Sequence, residues 1–104
     1  MLLLMGLQET TEKIRQKLSR AAHLKARVKF DFGDDGIVFV DSTKEPAEIS
    51  HQDGEFDTAL ICSLETFEKI LAGQQDPNIA FMMGKLKVKG SMGLAMKLNS
   101  ALED

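Results

Sequence analysis

Few side chains in this 104-residue chain could do acid–base or nucleophilic chemistry near neutral pH: His23, His51 and the single cysteine, Cys62. Ser50 adjoins His51, but consecutive residues of a strand project to opposite faces, so they are not expected to act as a nucleophile and its base. Cys62 ends the run Thr58-Ala59-Leu60-Ile61, a setting for an inert core thiol rather than a reactive thiolate. Asp34 and Asp35 have no third ligand nearby in sequence and lie between Gly33 and Gly36, which is the composition of a turn. Gly84-Lys85 lacks the preceding glycine spacing of a phosphate loop. The residues therefore predict no catalytic group, no metal and no cofactor, and the chain is read as a non-enzyme.

Apolar surface is what the chain has in excess. Ile79-Ala80-Phe81-Met82-Met83 is apolar on every side, whereas a short surface helix needs only one apolar stripe. In the segment 92–102, Leu94, Ala95, Leu98, Ala101 and Leu102 fall on one helical stripe, and Met92 and Met96 lie together on a separate flank. Four of the six methionines, Met82, Met83, Met92 and Met96, sit in this C-terminal quarter. Methionine remoulds readily around ligands of irregular shape, and it also fills gaps in small cores. Periodicity leaves both readings open: an adaptable cavity wall, or ordinary packing.

Several elements must position these residues. Gln8 to Leu24 carries Ile14, Leu18, Ala21 and Ala22 at helical spacing, with Thr10 and Thr11 as candidate start signals. From Ala26 the period becomes two, with Val28, Phe30 and Phe32 alternating with Lys29 and Asp31. Gly33 to Gly36 turns the chain into a second strand, Ile37 to Val40, giving a hairpin. Ala47 to His51 reads as a weaker strand with Pro46 at its start. Thr58 to Cys62 is apolar or β-branched on both faces, which predicts a central strand covered on both sides. Ser63 suits an N-cap for a helix over Leu64 to Ala72 with Gly73 as its stop, and Asp76-Pro77 starts another that ends at Gly84. Lys85 to Lys89 is a fifth strand, and Gly90-Ser91 leads into a last helix, Met92 to Leu102. This order predicts an α+β fold on one mainly antiparallel sheet, a single domain spanning residues 1–104.

Composition narrows the classes further. With 43% hydrophobic and 28% charged residues the chain is too apolar for intrinsic disorder, and a formal charge of −3 offers no electrostatic case for nucleic acid. One cysteine excludes an intrachain disulfide, so a cytoplasmic address is the default. The start, MLLLMGL, is far shorter than the roughly 20 residues of a membrane span and lacks a basic flank, so it is read as helix packing or a frayed end. The last residues, Leu102-Glu103-Asp104, are no peroxisomal address.

The stretch Gly84-Lys85-Leu86-Lys87-Val88-Lys89-Gly90-Ser91-Met92-Gly93-Leu94-Ala95-Met96-Lys97-Leu98, extended upstream by Asp76-Pro77 and Ala80-Phe81, resembles the signature of the sterol carrier protein-2 family, the non-specific lipid-transfer proteins. The element order resembles that family over almost the whole chain. The resemblance implies a five-stranded sheet of order 3-2-1-4-5, layered by helices over an apolar tunnel, in a small stand-alone form such as bacteria have. It implies non-catalytic binding, and transfer between membranes, of fatty acid, fatty acyl-CoA, phospholipid or sterol. By position within the motif, Phe81, Met82, Met92, Leu94 and Met96 are the expected ligand contacts, and Phe30 and Phe39 are added from strand facing. Met83 stands before the motif's first glycine where a glutamine is common, and the second strand lacks the usual tryptophan, so the motif specifies the ligand's tail and not its head.

Burying a methylene releases roughly 0.8 kcal/mol, so a long acyl chain supplies on the order of 10 kcal/mol before ordering costs, and broad specificity is expected. Lys85, Lys87 and Lys89, with Lys97, cluster on an otherwise acidic chain and could meet an anionic membrane surface or a ligand phosphate; a solvated strand face is the favoured reading. The alternative to a carrier is a protein-interaction or dimerisation module that uses the same apolar surface.

Overall fold

Alternation of apolar and charged residues decides which face of the sheet is covered. The structure is a computed structural model that describes residues 6–19 and 24–103. Strands β1 (Arg27–Asp31), β2 (Ile37–Asp41), β3 (Glu48–Ser50), β4 (Thr58–Cys62) and β5 (Leu86–Gly90) form one sheet in the order β3-β2-β1-β4-β5. Every pairing is antiparallel except β1 with β4, which is parallel, so the sheet is mixed. The helices are α1 (Leu7–Leu18), α2 (Leu64–Leu71), α3 (Pro77–Met82) and α4 (Met92–Glu103). Fold class, strand number and strand order are those expected.

Val28, Phe30, Val38, Val40, Leu60, Cys62 and Leu86 point to one face, where they share a core with Ile14, Leu64, Phe67, Ala80, Ala95, Leu98 and Leu102 of the helices. Phe67 stands at its centre, 5.4 Å from the Phe30 ring and 5.1 Å from that of Phe32. The opposite face carries Phe39, Lys29, Ala59 and Lys89 in one register row and Ile37, Asp31, Ile61 and Lys87 in the next. β4 is interior to the sheet with four of its five residues buried; among the described residues no helix covers its second face, where only Ile61 is left partly exposed. Ala59 is buried there because it is small and stands between two lysines, while Ile61 is half-exposed.

The caps at Ser63 and Asp76 form as expected. Ser63 Oγ accepts from the Thr66 N–H at 3.0 Å, and Asp76 Oδ1 accepts from the Asn78 N–H at 2.7 Å. Gly84 adopts φ +78°, letting the Lys85 N–H reach back to the Ala80 carbonyl at 2.8 Å and stop α3. The first helix differs. Thr10 and Thr11 are buried within α1 rather than capping it, and the Thr11 hydroxyl donates to the Leu7 carbonyl one turn back. α1 ends at Leu18, and Leu24 is no longer helical: the Ser42 hydroxyl accepts from the Ala26 N–H at 3.0 Å and donates to the Leu24 carbonyl, tying this stretch to the end of β2. The expected helical positions Ala21 and Ala22, with His23 and the apolar start Met1–Met5, lie outside the described residues. β3 is shorter than Ala47 to His51, and Pro46 lies two residues before it.

Candidate functional site

α4 takes its position from one joint. Gly90, at φ +83°, sits where any Cβ would come within 2.4 Å of the Asp57 carbonyl. That carbonyl accepts the Ser91 N–H at 2.9 Å, while Thr58 Oγ1 donates to the Ser91 carbonyl at 2.9 Å. Asp57 is itself held by Arg27, whose backbone N–H reaches Oδ2 at 2.8 Å and whose guanidinium reaches Oδ1 at 3.3 Å. The Arg27 backbone N–H first, and then its side chain, hold the Asp57 carboxyl below the ordinary carboxylate range. From this joint α4 runs back over the sheet with Ala95, Leu98 and Leu102 buried and Leu94 and Ala101 partly so, which is the stripe read from the sequence.

Leu98 forms part of the wall of an apolar cavity of about 340 Å³. Among the described residues its floor is Val28 and Val40, paired in register on the core face. Leu18 and Leu24 close one side, and Pro46, Ala47 and Ile49 close the other. Arg15 and Glu45 bring charge to the wall, both with well-exposed side chains that also pair outward, Arg15 with Glu12 at 3.4 Å and Glu45 with Lys25 at 3.7 Å. The Ser42 hydroxyl is spent on backbone groups and adds little polarity. The volume falls at the lower end of ligand pockets, roughly 300–1,000 Å³, and holds on the order of ten methylene-sized groups at about 30 Å³ each.

None of the seven residues expected from the sequence lines this cavity. Phe30 is fully buried in the core against Phe67. Phe39 lies on the helix-free face against Gly54, so the sheet separates it from Phe30. Leu94 packs on the core edge. Phe81, Met82, Met92 and Met96 are exposed, Met82 to 81%, and Ile79 and Met83 with them. Leu18, Leu24, Val40 and Ile49 were not expected from the sequence as ligand contacts because each also fits ordinary packing. The signal available was the weak strand after Pro46, whose single apolar residue covers that end of the core thinly.

The groups with chemical potential are quiet. Burial, and secondarily Asp31, push the Cys62 thiol up to about 12, so it stays protonated at neutral pH. His51 is exposed, and its Nε2 lies 2.9 Å from Thr11 Oγ1. Because that hydroxyl donates to Leu7, the imidazole is the donor in this contact. Asp34 and Asp35 form a 3-10 turn with Gly33, and among the described residues no three His, Cys, Asp or Glu side chains gather to hold a metal ion.

A model of the SCP-2 sterol transfer family matches residues 7–103. The chain belongs to that family. Membership brings lipid binding and transfer as its general activity, and the mixed five-stranded sheet with four helices is the fold of sterol carrier protein 2. Hydroxysteroid dehydrogenase-like protein 2 of Xenopus laevis is 31% identical over 102 residues, covering 92% of this chain and 24% of that protein, so the chain spans about a quarter of this relative. The sterol carrier protein domain 2 of Helicoverpa armigera superposes with a TM-score of 0.70 at 20% identity, covering 90% of this chain and 83% of that one. The apo form of sterol carrier protein 2 from Yarrowia lipolytica gives 0.66 at 21% identity, covering 91% and 77%. At these identities the structural likeness is one of fold. Among the described residues no helix is long and apolar enough to cross a membrane.

Proposed function

We propose that this chain is a non-catalytic lipid carrier, working as one unit in the cytoplasm, that holds the acyl tail of a fatty acid, fatty acyl-CoA, phospholipid or sterol-like lipid in the cavity between α1, the β1–β2 face and α4. The apolar cavity closed by Leu18, Val40, Ile49 and Leu98 carries this reading. Ten methylenes at about 0.8 kcal/mol each give roughly 8 kcal/mol gross, near what micromolar binding requires before ordering costs, so the tail alone supplies useful affinity. Arg15 is the one cation among the described wall residues, which favours a carboxylate or phosphate head at that end. Of the residues expected at the site, Leu94 helps hold α4 in place, and the exposed Phe81, Met82, Met92 and Met96 meet lipid outside the cavity.

Displacement of a fluorescent fatty acid tests this reading. Ala47, exposed at the cavity rim, can be enlarged without disturbing the core. Ala47→Trp should weaken fatty-acid uptake at least tenfold with an unchanged melting temperature; unaltered uptake would remove the cavity from the account. A second reading, favoured by the exposed apolar residues of α3 and α4, is a module that docks a partner or a second copy through that surface. Native mass spectrometry of freshly purified protein separates the two, since co-purified lipid supports the carrier and an empty dimer supports the module.

A further inference from the structure

Among the described residues the six exposed large hydrophobic side chains, Ile79, Phe81, Met82, Met83, Met92 and Met96, belong to α3, its C-terminal turn and the first half of α4. These pieces attach to one edge of the molecule. β5 is the last strand of the sheet, α3 packs on it, and α4 begins directly after it. The same stretch is electrically distinct. Residues 77–102 hold four of the thirteen basic residues and none of the sixteen acidic ones, so a segment of +4 sits in a chain of −3. Among the other described cations, Arg15, Lys25, Arg27, Lys29, Lys44 and Lys69 have carboxylate partners within 4.0 Å, whereas Lys13 on α1 has none. Among the described residues Lys85, Lys87, Lys89 and Lys97 form no ion pair.

Solvation of an edge strand explains lysines at 87 and 89, which also discourage strand-to-strand aggregation. It does not explain half a dozen exposed apolar side chains at the same edge, on the helix side of the sheet, whereas Lys87 and Lys89 project from the other. A protein partner's groove would ask for a compact apolar patch with charges of fixed geometry. A bilayer surface asks only that greasy and cationic groups lie at one edge, where flexible methionines enter the acyl boundary and lysines remain among phosphates. The two ends of β5 are about 14 Å apart at 3.4 Å per residue, and exposed apolar residues lie both before and after the strand in the chain.

We propose that the β5 edge is a membrane-docking face selective for anionic bilayers: Phe81, Met82, Met92 and Met96 enter the headgroup–acyl boundary while Lys85, Lys87 and Lys89 contact lipid phosphates. The proposal rests on the carrier reading above and gives it a place of loading and unloading. α4 contributes to both places: buried Leu98 lines the cavity, while Met92 and Met96 of the same helix are exposed.

The chain contains no Trp and no Tyr, so Met82→Trp and Met96→Trp each carry the molecule's only indole. With vesicles of phosphatidylcholine and phosphatidylglycerol both emissions should shift to the blue and become quenchable by bromine-labelled acyl chains, while Lys13→Trp on α1 should not respond. Each lysine near an anionic surface contributes about a fivefold factor, so replacing Lys85, Lys87 and Lys89 together with Gln should weaken partitioning on the order of a hundredfold at low salt. Emission that stays water-like for both variants overturns the proposal. Equal partitioning to pure phosphatidylcholine overturns its selectivity for anionic lipid. A blue shift that comes with dimerisation in the absence of vesicles overturns it in favour of a second copy as the occupant. Fatty-acid uptake from solution, measured on the unaltered protein by native mass spectrometry, reads the carrier function separately: docking without uptake upholds this face and sinks the carrier reading, and uptake without docking does the reverse.

Discussion

The two ends of the sheet treat apolar surface in opposite ways. At the β1–β2–β3 end, Val28, Val40, Ile49 and Leu98 line a pocket with an open rim, and the charges near it, Arg15 with Glu12 and Glu45 with Lys25, are paired among themselves. At the β5 end the apolar side chains face outward and the lysines have no carboxylate partners. Pairing keeps a cavity rim electrically neutral, so a ligand is selected there by shape and apolar area. Unpaired charge at the edge that carries exposed methionine is what the proposed docking to an anionic bilayer rests on. A lipid carrier needs both kinds of surface, one to keep the tail from water and one to reach the membrane.

The core beneath both ends is common, so the largest effect should erase the contrast altogether. Phe67→Ala removes the ring packed on Phe30 and Phe32 and should destabilise the fold by about 3–5 kcal/mol, read from denaturant unfolding. Loss of fatty-acid uptake and of vesicle docking should follow together. Gly90→Ala attacks the joint that sets α4 between the two surfaces. A side chain at φ +83° facing the Asp57 carbonyl should cost about 2 kcal/mol or more, with exchange protection lost first at the N-terminal turn of α4.

How far the sequence carried depended on whether a feature is local. β4 is found over the expected residues, and the Ser63 and Asp76 caps form, because cap chemistry and strand periodicity are written in consecutive residues. The end of α1 was not legible, since nothing after Leu18 breaks a helix; the bonds that tie down the backbone at Leu24 and Ala26 come from Ser42, far along the chain. Strand order, with its parallel β1–β4 pair, followed from the family signature and not from hydropathy. The apolar excess of α3 and α4 was visible, but periodicity could not tell whether it faces inward or outward. The cavity left only the weak strand after Pro46 as a trace, because a void is an absence of contacts among residues that each look like ordinary core.

Smaller perturbations sharpen the comparison without abolishing it. Acid should act on the α4 joint. Arg27 lowers the Asp57 carboxyl in the folded state, so the unfolded chain binds a proton there more readily, and the contribution is present above the ordinary value near 3.8 and lost as pH falls through the depressed one. Asp57→Asn should therefore flatten the acid limb of a stability-against-pH curve below about pH 4, while stability measured well above neutral keeps no such dependence on this group. Met82→Ser, at the outer face of α3, should change stability by no more than about 0.5 kcal/mol by thermal unfolding, since an exposed side chain there supports no packing. A larger loss would mean that the β5 edge is core in disguise.

The account stands on where the acyl tail lies, and photolabelling reads that directly. A fatty acid carrying a diazirine at its ω end, bound to the delipidated protein in the absence of vesicles and mapped by peptide mass spectrometry, should mark Leu18, Val40, Ile49 or Leu98. Labels confined to Phe81, Met82, Met92 and Met96 would place the tail on the β5 edge and contradict the division of labour between the two ends.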